Sequence, residues 1–264
     1  MTKTAPSLSW RERFTAFRAT LLIFLAAVLV SLPALRGSGR ELDHLSNLRR
    51  FASQFFPPDL SVTPQILSAL GETIQIAVLA TGISVLIALP LAASASRNIA
   101  PKAVNLFVRM LLNGIRTLPS LVWALVAVVI VGPNPLAGVI GLTFYSVGYL
   151  GKFFSDAFDS ADMSVPEGLK MSGAHPIQAF QYGLLPQLKP LLMSNSLWML
   201  EYNVRSAAIV GYVGAGGIGL LLHSYQEFAQ WDRFATVLLF ILVLVSALDL
   251  FGEWLRQRIL KSNT

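Results

Sequence analysis

The sequence contains no cysteine. Disulfides, thiolate metal sites and cysteine nucleophiles are therefore excluded, whatever the compartment. Charge is also scarce. Only 13% of the 264 residues are Asp, Glu, Lys or Arg, against about 25% in an ordinary soluble domain, too few to cover a soluble surface of this size. His44, His175 and His223 are the only histidines, and the topology below puts them on different membrane faces, where they cannot share one metal ion. No HExxH, GxSxG or GxxxxGK[ST] pattern occurs, so the usual metalloprotease, hydrolase and phosphate-loop chemistries have no anchor. The net charge is +6, yet no Lys/Arg cluster interleaves with aromatics as a nucleic-acid groove requires. No nucleic-acid partner is expected.

What is present is apolar sequence in long blocks, 54% of the chain. A bilayer core of about 30 Å needs about 20 mostly apolar residues per helix, with every backbone polar group satisfied inside the segment. Six segments qualify: Phe17 to Leu35, Ile66 to Ser94, Leu118 to Val131, Leu136 to Phe158, Leu188 to Val213 and Phe234 to Trp254. The third is short and reaches spanning length if helix continues back from Arg116 to Phe107, kinked at Pro119. Arg11, Arg13 and Arg18, ahead of the apolar run of the first segment, suggest a signal peptide, but no small-residue cleavage site with a soluble domain follows, so it reads as an anchor. Placing both termini inside puts 14 of the 20 Lys and Arg on that side: those in 3–18, 97–116, 152–189 and 256–261. That is the bias expected of cytoplasmic loops. Leu42, Leu45, Leu48 and Phe51 recur at helical spacing within Arg40 to Pro58, which reads as a helix in the outer interface. The expected fold class is all-α: one polytopic membrane helix bundle of about six transmembrane helices over 1–264, in contact with lipid.

The polar stretch between the fourth and fifth segments, about 160–187, is the most informative. Ser164 and Glu167 have capping-box spacing, with Pro166 in the first turn, so a short helix should start there. Gly173 suits a helix stop. Pro176 can open a second short helix, and Leu185-Pro186 leads back into the membrane. A helical elbow on the cytoplasmic side is expected.

The elbow resembles the permeases of bacterial ATP-binding-cassette importers, whose loop here reads Glu-Ala-Ala, three residues, Gly, nine residues, Ile-x-Leu-Pro. Glu167-Gly168-Leu169 stands for the triplet, Gly173 follows the gap with Ala174 after it, and Leu185-Pro186 closes the pattern. Gly168, Leu169 and Gly183 depart from it without shifting its spacing. Two further stretches resemble the phosphonate and phosphite branch: Arg116-Thr-Leu-Pro119-Ser120-Leu-Val-Trp123, and Glu201 through Asn203 and Arg205 to Gly214-Ala-Gly216-Gly217-Ile-Gly219. The resemblance implies a coupling helix that docks on a separate ATPase. It also implies two ATPase subunits holding Mg-ATP, a second permease copy giving a homodimer, and a periplasmic solute-binding protein. The expected location is the bacterial inner membrane. This chain itself would hold no cofactor, and ATP hydrolysis would reside on its partners.

Glu201, Asn203 and Arg205 interrupt an apolar helix, where each bare charge costs at least about 2.5 kcal/mol. Glu201 and Arg205 are i,i+4 neighbours and can pair. Two roles fit: an ion pair bracing the helix against a neighbour, or a guanidinium that a passing oxyanion borrows. Tyr145, Tyr149 and Lys152 share a face that reads as packing, interfacial anchor or ligand; Ser120 and Trp123 are further candidate cavity residues. Gly214, Gly216 and Gly217 satisfy GxGxxG in the wrong context, ending a membrane helix instead of opening one after a strand. They read as close-packing, hinge or gate positions. A methionine or quaternary-amine permease, an integral-membrane enzyme and a secondary transporter are the alternatives. Phosphonate, phosphite and phosphate esters are not separable from these residues.

Overall fold

The computed structural model describes residues 10–35 and 43–261, and no strand occurs among them. The chain forms two compact units, Met1–Ala52 and Ser53–Thr264. The first holds α1 (Trp10–Ser31) and α2 (His44–Ser53). The stretch from Phe17 to Ala34 is apolar and long enough to cross a membrane, as the sequence anticipates. Helix α2 starts where the Asp43 carboxylate accepts from the Ser46 amide at 3.1 Å, a side-chain N-cap. Its Leu45, Leu48 and Phe51 stay exposed; the expected Leu42 lies outside the described residues.

The second unit contains α3 (Thr63–Ala95), α4 (Lys102–Thr117), α5 (Ser120–Val131), α6 (Pro135–Ser160), α7 (Ser164–Met171), α8 (Pro176–Ala179), α9 (Leu185–Val210), α10 (Ile218–Glu227) and α11 (Trp231–Lys261). Among the described residues four helices are long and apolar enough to cross a bilayer, and six spans result if each bent pair counts as one. One pair is α4 and α5, meeting at 86°; the other is α9 with its extension and α10, bent by 55°. The kink expected at Pro119 is therefore a full break. Leu118 leaves the helix in an extended conformation, with ψ at 132°, as the residue before a proline prefers. Helix α5 alone has 12 residues and rises about 18 Å, short of the core thickness.

Lipid is as apolar as leucine, so helices associate here through close fit and not through exclusion of water. The contacts show it. Ile76, Ala80, Ala124, Ala127, Leu142 and Ala207 form one buried cluster of α3, α5, α6 and α9. A Cβ on Gly141 would lie 2.6 Å from the Ala124 Cα, so α5 rests directly on α6 backbone. A second cluster, with Ala88, Phe154, Phe158, Leu188 and Met199, packs the other half of α3, α6 and α9. Large apolar side chains such as Leu86, Val129, Leu242 and Val243 point outward, as a lipid-facing surface requires.

Candidate functional site: an elbow and a polar stripe

The elbow forms as a helix, a turn and a short helix, but its caps differ from those the sequence suggests. Ser164 is the first residue of α7, and its side chain makes no capping bond to Glu167. Instead Asp162 accepts from the Ser164 amide at 2.9 Å, and its bonds to Ser164 hold its carboxyl below the usual carboxylate range. The capping box appears one element later, where the His175 amide donates to Gln178 Oε1 at 2.9 Å and His175 Nδ1 accepts from the Ile177 amide. Gly173 does stop α7, at φ +89°, with the Ala174 amide returning to the Leu169 carbonyl at 3.0 Å. Gln187 clamps the base, accepting from the Asp162 amide at 2.9 Å and donating to its carbonyl at 3.1 Å. Gly183 has a reason to be glycine: a Cβ there would sit 2.9 Å from the Pro166 Cα. Glu167 is exposed, Gly168 and Leu169 are half-buried, and Pro186 opens α9. Val165, Met171, Ile177 and Tyr182 are left exposed on this protrusion.

Within the bundle, the expected Glu201–Arg205 pair does not form. Both side chains reach across to α11: Glu201 pairs with Arg256, and Arg205 Nη2 lies 3.0 Å from Asp249 Oδ1. The two pairs differ in burial. Glu201 is 9% exposed at its side chain and rests on Gly252, whereas Arg205 and Asp249 are each 48% exposed. Asn203 is fully buried, donating to Thr81 at 2.9 Å and accepting from Ser146 at 3.0 Å. It ties α3, α6 and α9 together.

Trp198, Tyr202, Arg205 and Ile209 fall on one face of α9, continued by Tyr212 just beyond its end, and this chain leaves that face partly or largely uncovered. Beside it lies an aromatic row. Tyr202 stacks on Tyr145 at 5.0 Å, Tyr145 meets Tyr149 at 4.7 Å, and Arg116 stands 5.3 Å from the Tyr149 ring centre. Above Arg205 an apolar cavity of about 360 Å³ opens between Leu121, Ile209, Tyr212, Leu238 and Val245. Trp123 stacks on Phe144 at 5.1 Å and donates to the Ile115 carbonyl at 3.0 Å, locking the α4–α5 break; Ser120 opens α5. Lys152 turns away to pair with Asp156.

The glycine cluster is a bend. Gly214, Gly216 and Gly217 have φ of +95°, +80° and +70°, values that favour glycine. Two α3 side chains hold the far limb: the Gly217 amide donates to Glu72 at 3.2 Å and the Ile218 amide to Thr73 Oγ1 at 2.8 Å. Sequence reasoning missed Glu72, although it is the one acidic residue in α3. It also missed the clasp of Arg109 on Asp159 at 2.6 Å and on the Ala95 carbonyl at 2.8 Å.

An all-helical membrane bundle with two broken spans, a capped elbow and charges inside its helices has the build of a solute permease. Residues 84–261 match the family described as binding-protein-dependent transport system inner membrane component, and the chain belongs to it, as a permease of an ATP-binding-cassette importer. It is 35% identical over 217 residues to the phosphite transport system permease protein PtxC of Stutzerimonas stutzeri, covering 82% of this chain and 79% of that one. The permease protein HtxC of the same organism is 39% identical over 220 residues, 83% of this chain and 78% of HtxC. A chain of the MetNI methionine transporter, in an inward-facing conformation, shares the fold with a TM-score of 0.66 at 22% identity, over 76% of this chain and 99% of that one.

Proposed function

We propose that this permease carries a phosphorus oxyanion, phosphonate, phosphite or a phosphate ester, across the inner membrane as one half of a homodimer. Two ATPase subunits bind the elbows through Glu167, Gly168, Leu169, Gly173, Ala174 and Pro186, and a periplasmic binding protein delivers the solute. The N- and C-termini lie in the cytoplasm with the elbow. ATP-driven closure of the ATPases draws the two elbows together, and the bends at Gly214, Gly216 and Gly217 let each fifth span change direction. Arg205 and Tyr145 border the pathway. Ser120 and Trp123 support its wall, and Glu201 and Asn203 hold α9 in place.

The observation that carries the reading is the uncovered face of α9. A half-exposed guanidinium in a membrane helix is costly against lipid, so it must meet water or protein, and its fork suits an oxyanion. The similarity to a phosphite permease, 35% over 217 residues, exceeds that to the methionine import permease MetP of Bacillus subtilis, 29% over 163. The test is reconstitution in proteoliposomes with the cognate ATPase and binding protein. Phosphite or methylphosphonate should stimulate ATP hydrolysis several-fold and enter the lumen. Stimulation by methionine alone would overturn the assignment.

A further inference from the structure

Arg116 is a cation without a counter-ion. It forms none of the ion pairs among the described residues. Its guanidinium donates to the neutral Asn113 Oδ1, one turn back on α4 and 3.5 Å from Nη2. Nor is it a loop residue in the ordinary sense. A Cβ on Gly148 would lie 3.2 Å from the Arg116 amide nitrogen, and Gly148 is at the midpoint of α6, which runs from Pro135 to Ser160. The α4–α5 break therefore places Arg116 at mid-depth of a spanning helix, not in the cytoplasmic loop to which the charge bias of the sequence assigns it. Arg205 lies close to the same level, since Asn203, two residues earlier, bonds Ser146 of α6.

Between the two guanidinium groups runs the aromatic row. Arg116 covers Tyr149, Tyr149 meets Tyr145, Tyr145 stacks on Tyr202, and Tyr202 is three residues before Arg205 on the same face of α9. Phenol hydroxyls are donors, and guanidinium forks are the groups best matched to oxyanion geometry. No carboxylate pairs with Arg116, and the one paired with Arg205 is Asp249, from α11. An unpaired arginine at this depth is costly unless water or an anion compensates it.

We propose that Arg116, with the phenols of Tyr149, Tyr145 and Tyr202, is a mid-membrane binding station for an oxyanion, distinct from Arg205 and adjoining it. The ligand class is a tetrahedral phosphorus oxyanion of one or two negative charges, so the proposal rests on the substrate reading above. The anion leaves the binding protein, is held by the free guanidinium of Arg116, and is handed along the phenol row to or from Arg205. Two weak stations suit transport better than one strong one, because a translocated solute must also leave.

The decisive variant gives Arg116 the partner it lacks. Asn113 is exposed and its side chain already faces Arg116, so Asn113→Asp neutralises the guanidinium without disturbing packing. The assembled complex, with its ATPases and binding protein, is placed in proteoliposomes and phosphite uptake is measured. The expected result is a fall of about tenfold in maximal uptake, with the half-saturating concentration of loaded binding protein unchanged. Arg116→Gln should do the same, and Arg116→Lys should restore part of the rate. A purely structural Arg116 would tolerate Asn113→Asp, so full phosphite uptake in that variant overturns the proposal while leaving the substrate reading intact. If the wild-type complex moves methionine and not phosphite, both fall together. Should Arg116→Gln fail to assemble, Asn113→Asp still decides the matter.

Discussion

Two ion pairs join α9 to α11, and their burial separates their roles. The Arg205–Asp249 pair is half exposed at both ends, and pairs in that setting contribute about 0–1 kcal/mol. Breaking it costs little, which a residue that must release and recapture a partner requires. Glu201 is 8% exposed overall and stands under Arg256 and over Gly252. Removing Arg256 would leave a buried carboxylate alone, at a cost of roughly 3 kcal/mol. Arg256→Ala should therefore lower the unfolding midpoint of the detergent-solubilised protein by several degrees, while Asp249→Ala should barely move it. Adding Glu201→Gln to Arg256→Ala should recover much of the loss, because the orphaned charge is gone. Equal effects of Arg256→Ala and Asp249→Ala in a thermal scan would refute this division. Sequence reasoning singles out only Glu201 and Arg205 as charges in an apolar helix; it counts Arg256 among the cytoplasmic charges and passes over Asp249, so neither true partner is legible. Spacing of four on one helix favours Glu201 with Arg205; tertiary contacts with α11 outweigh that local preference.

At the scale of elements, the apolar blocks are legible because a bilayer leaves few alternatives to a helix of about 20 residues. The breaks are not. Pro119 disfavours helix in Leu118, yet whether the chain kinks slightly or turns by 86° depends on Trp123 bonding back to the Ile115 carbonyl, a contact across the break that no local rule supplies. The elbow was legible in outline for a similar reason. Gly173 and Pro176 act through backbone geometry that travels with the sequence, whereas the cap at Ser164 fails because Asp162 takes its amide. Gly183 departs from the pattern of the family loop, and its contact shows why: an added Cβ would lie 2.9 Å from the Pro166 Cα, so α7 seats directly on the backbone that leads into α9. Gly183→Val would push α7 off that seat while leaving the ATPase subunits untouched. The expected outcome is uptake reduced about tenfold with stimulated ATP hydrolysis largely retained, since an elbow that moves independently transmits less of the stroke. Uptake and hydrolysis measured in the same proteoliposomes decide it; loss of both in proportion would mean the elbow only binds.

For the whole molecule, the question is what covers the face of α9 that this chain leaves open. Lipid is a poor answer for Arg205, and a second copy about a two-fold axis is the arrangement that presents the same stripe twice. The absence of cysteine makes this testable without a background. Ile209 is 61% exposed and lies one turn beyond Arg205 on the stripe, while Val129 of α5 is 86% exposed and points where a lipid-facing residue should. If the stripes face each other across a water-filled cavity, Ile209→Cys should give a covalent dimer with a bifunctional thiol reagent of short span in native membranes, and Val129→Cys should not. The size of the product matters as well: a homodimer doubles the mass of this 28.7 kDa chain, whereas pairing with a related permease gives a product containing a second sequence. ATP binding by the partners should change the yield at Ile209, because drawing the elbows together must alter the distance between the two α9 helices if the bundle moves as one piece. A yield at Ile209 no greater than at Val129, with and without ATP, would place the dimer axis elsewhere and remove Arg205 from the pathway.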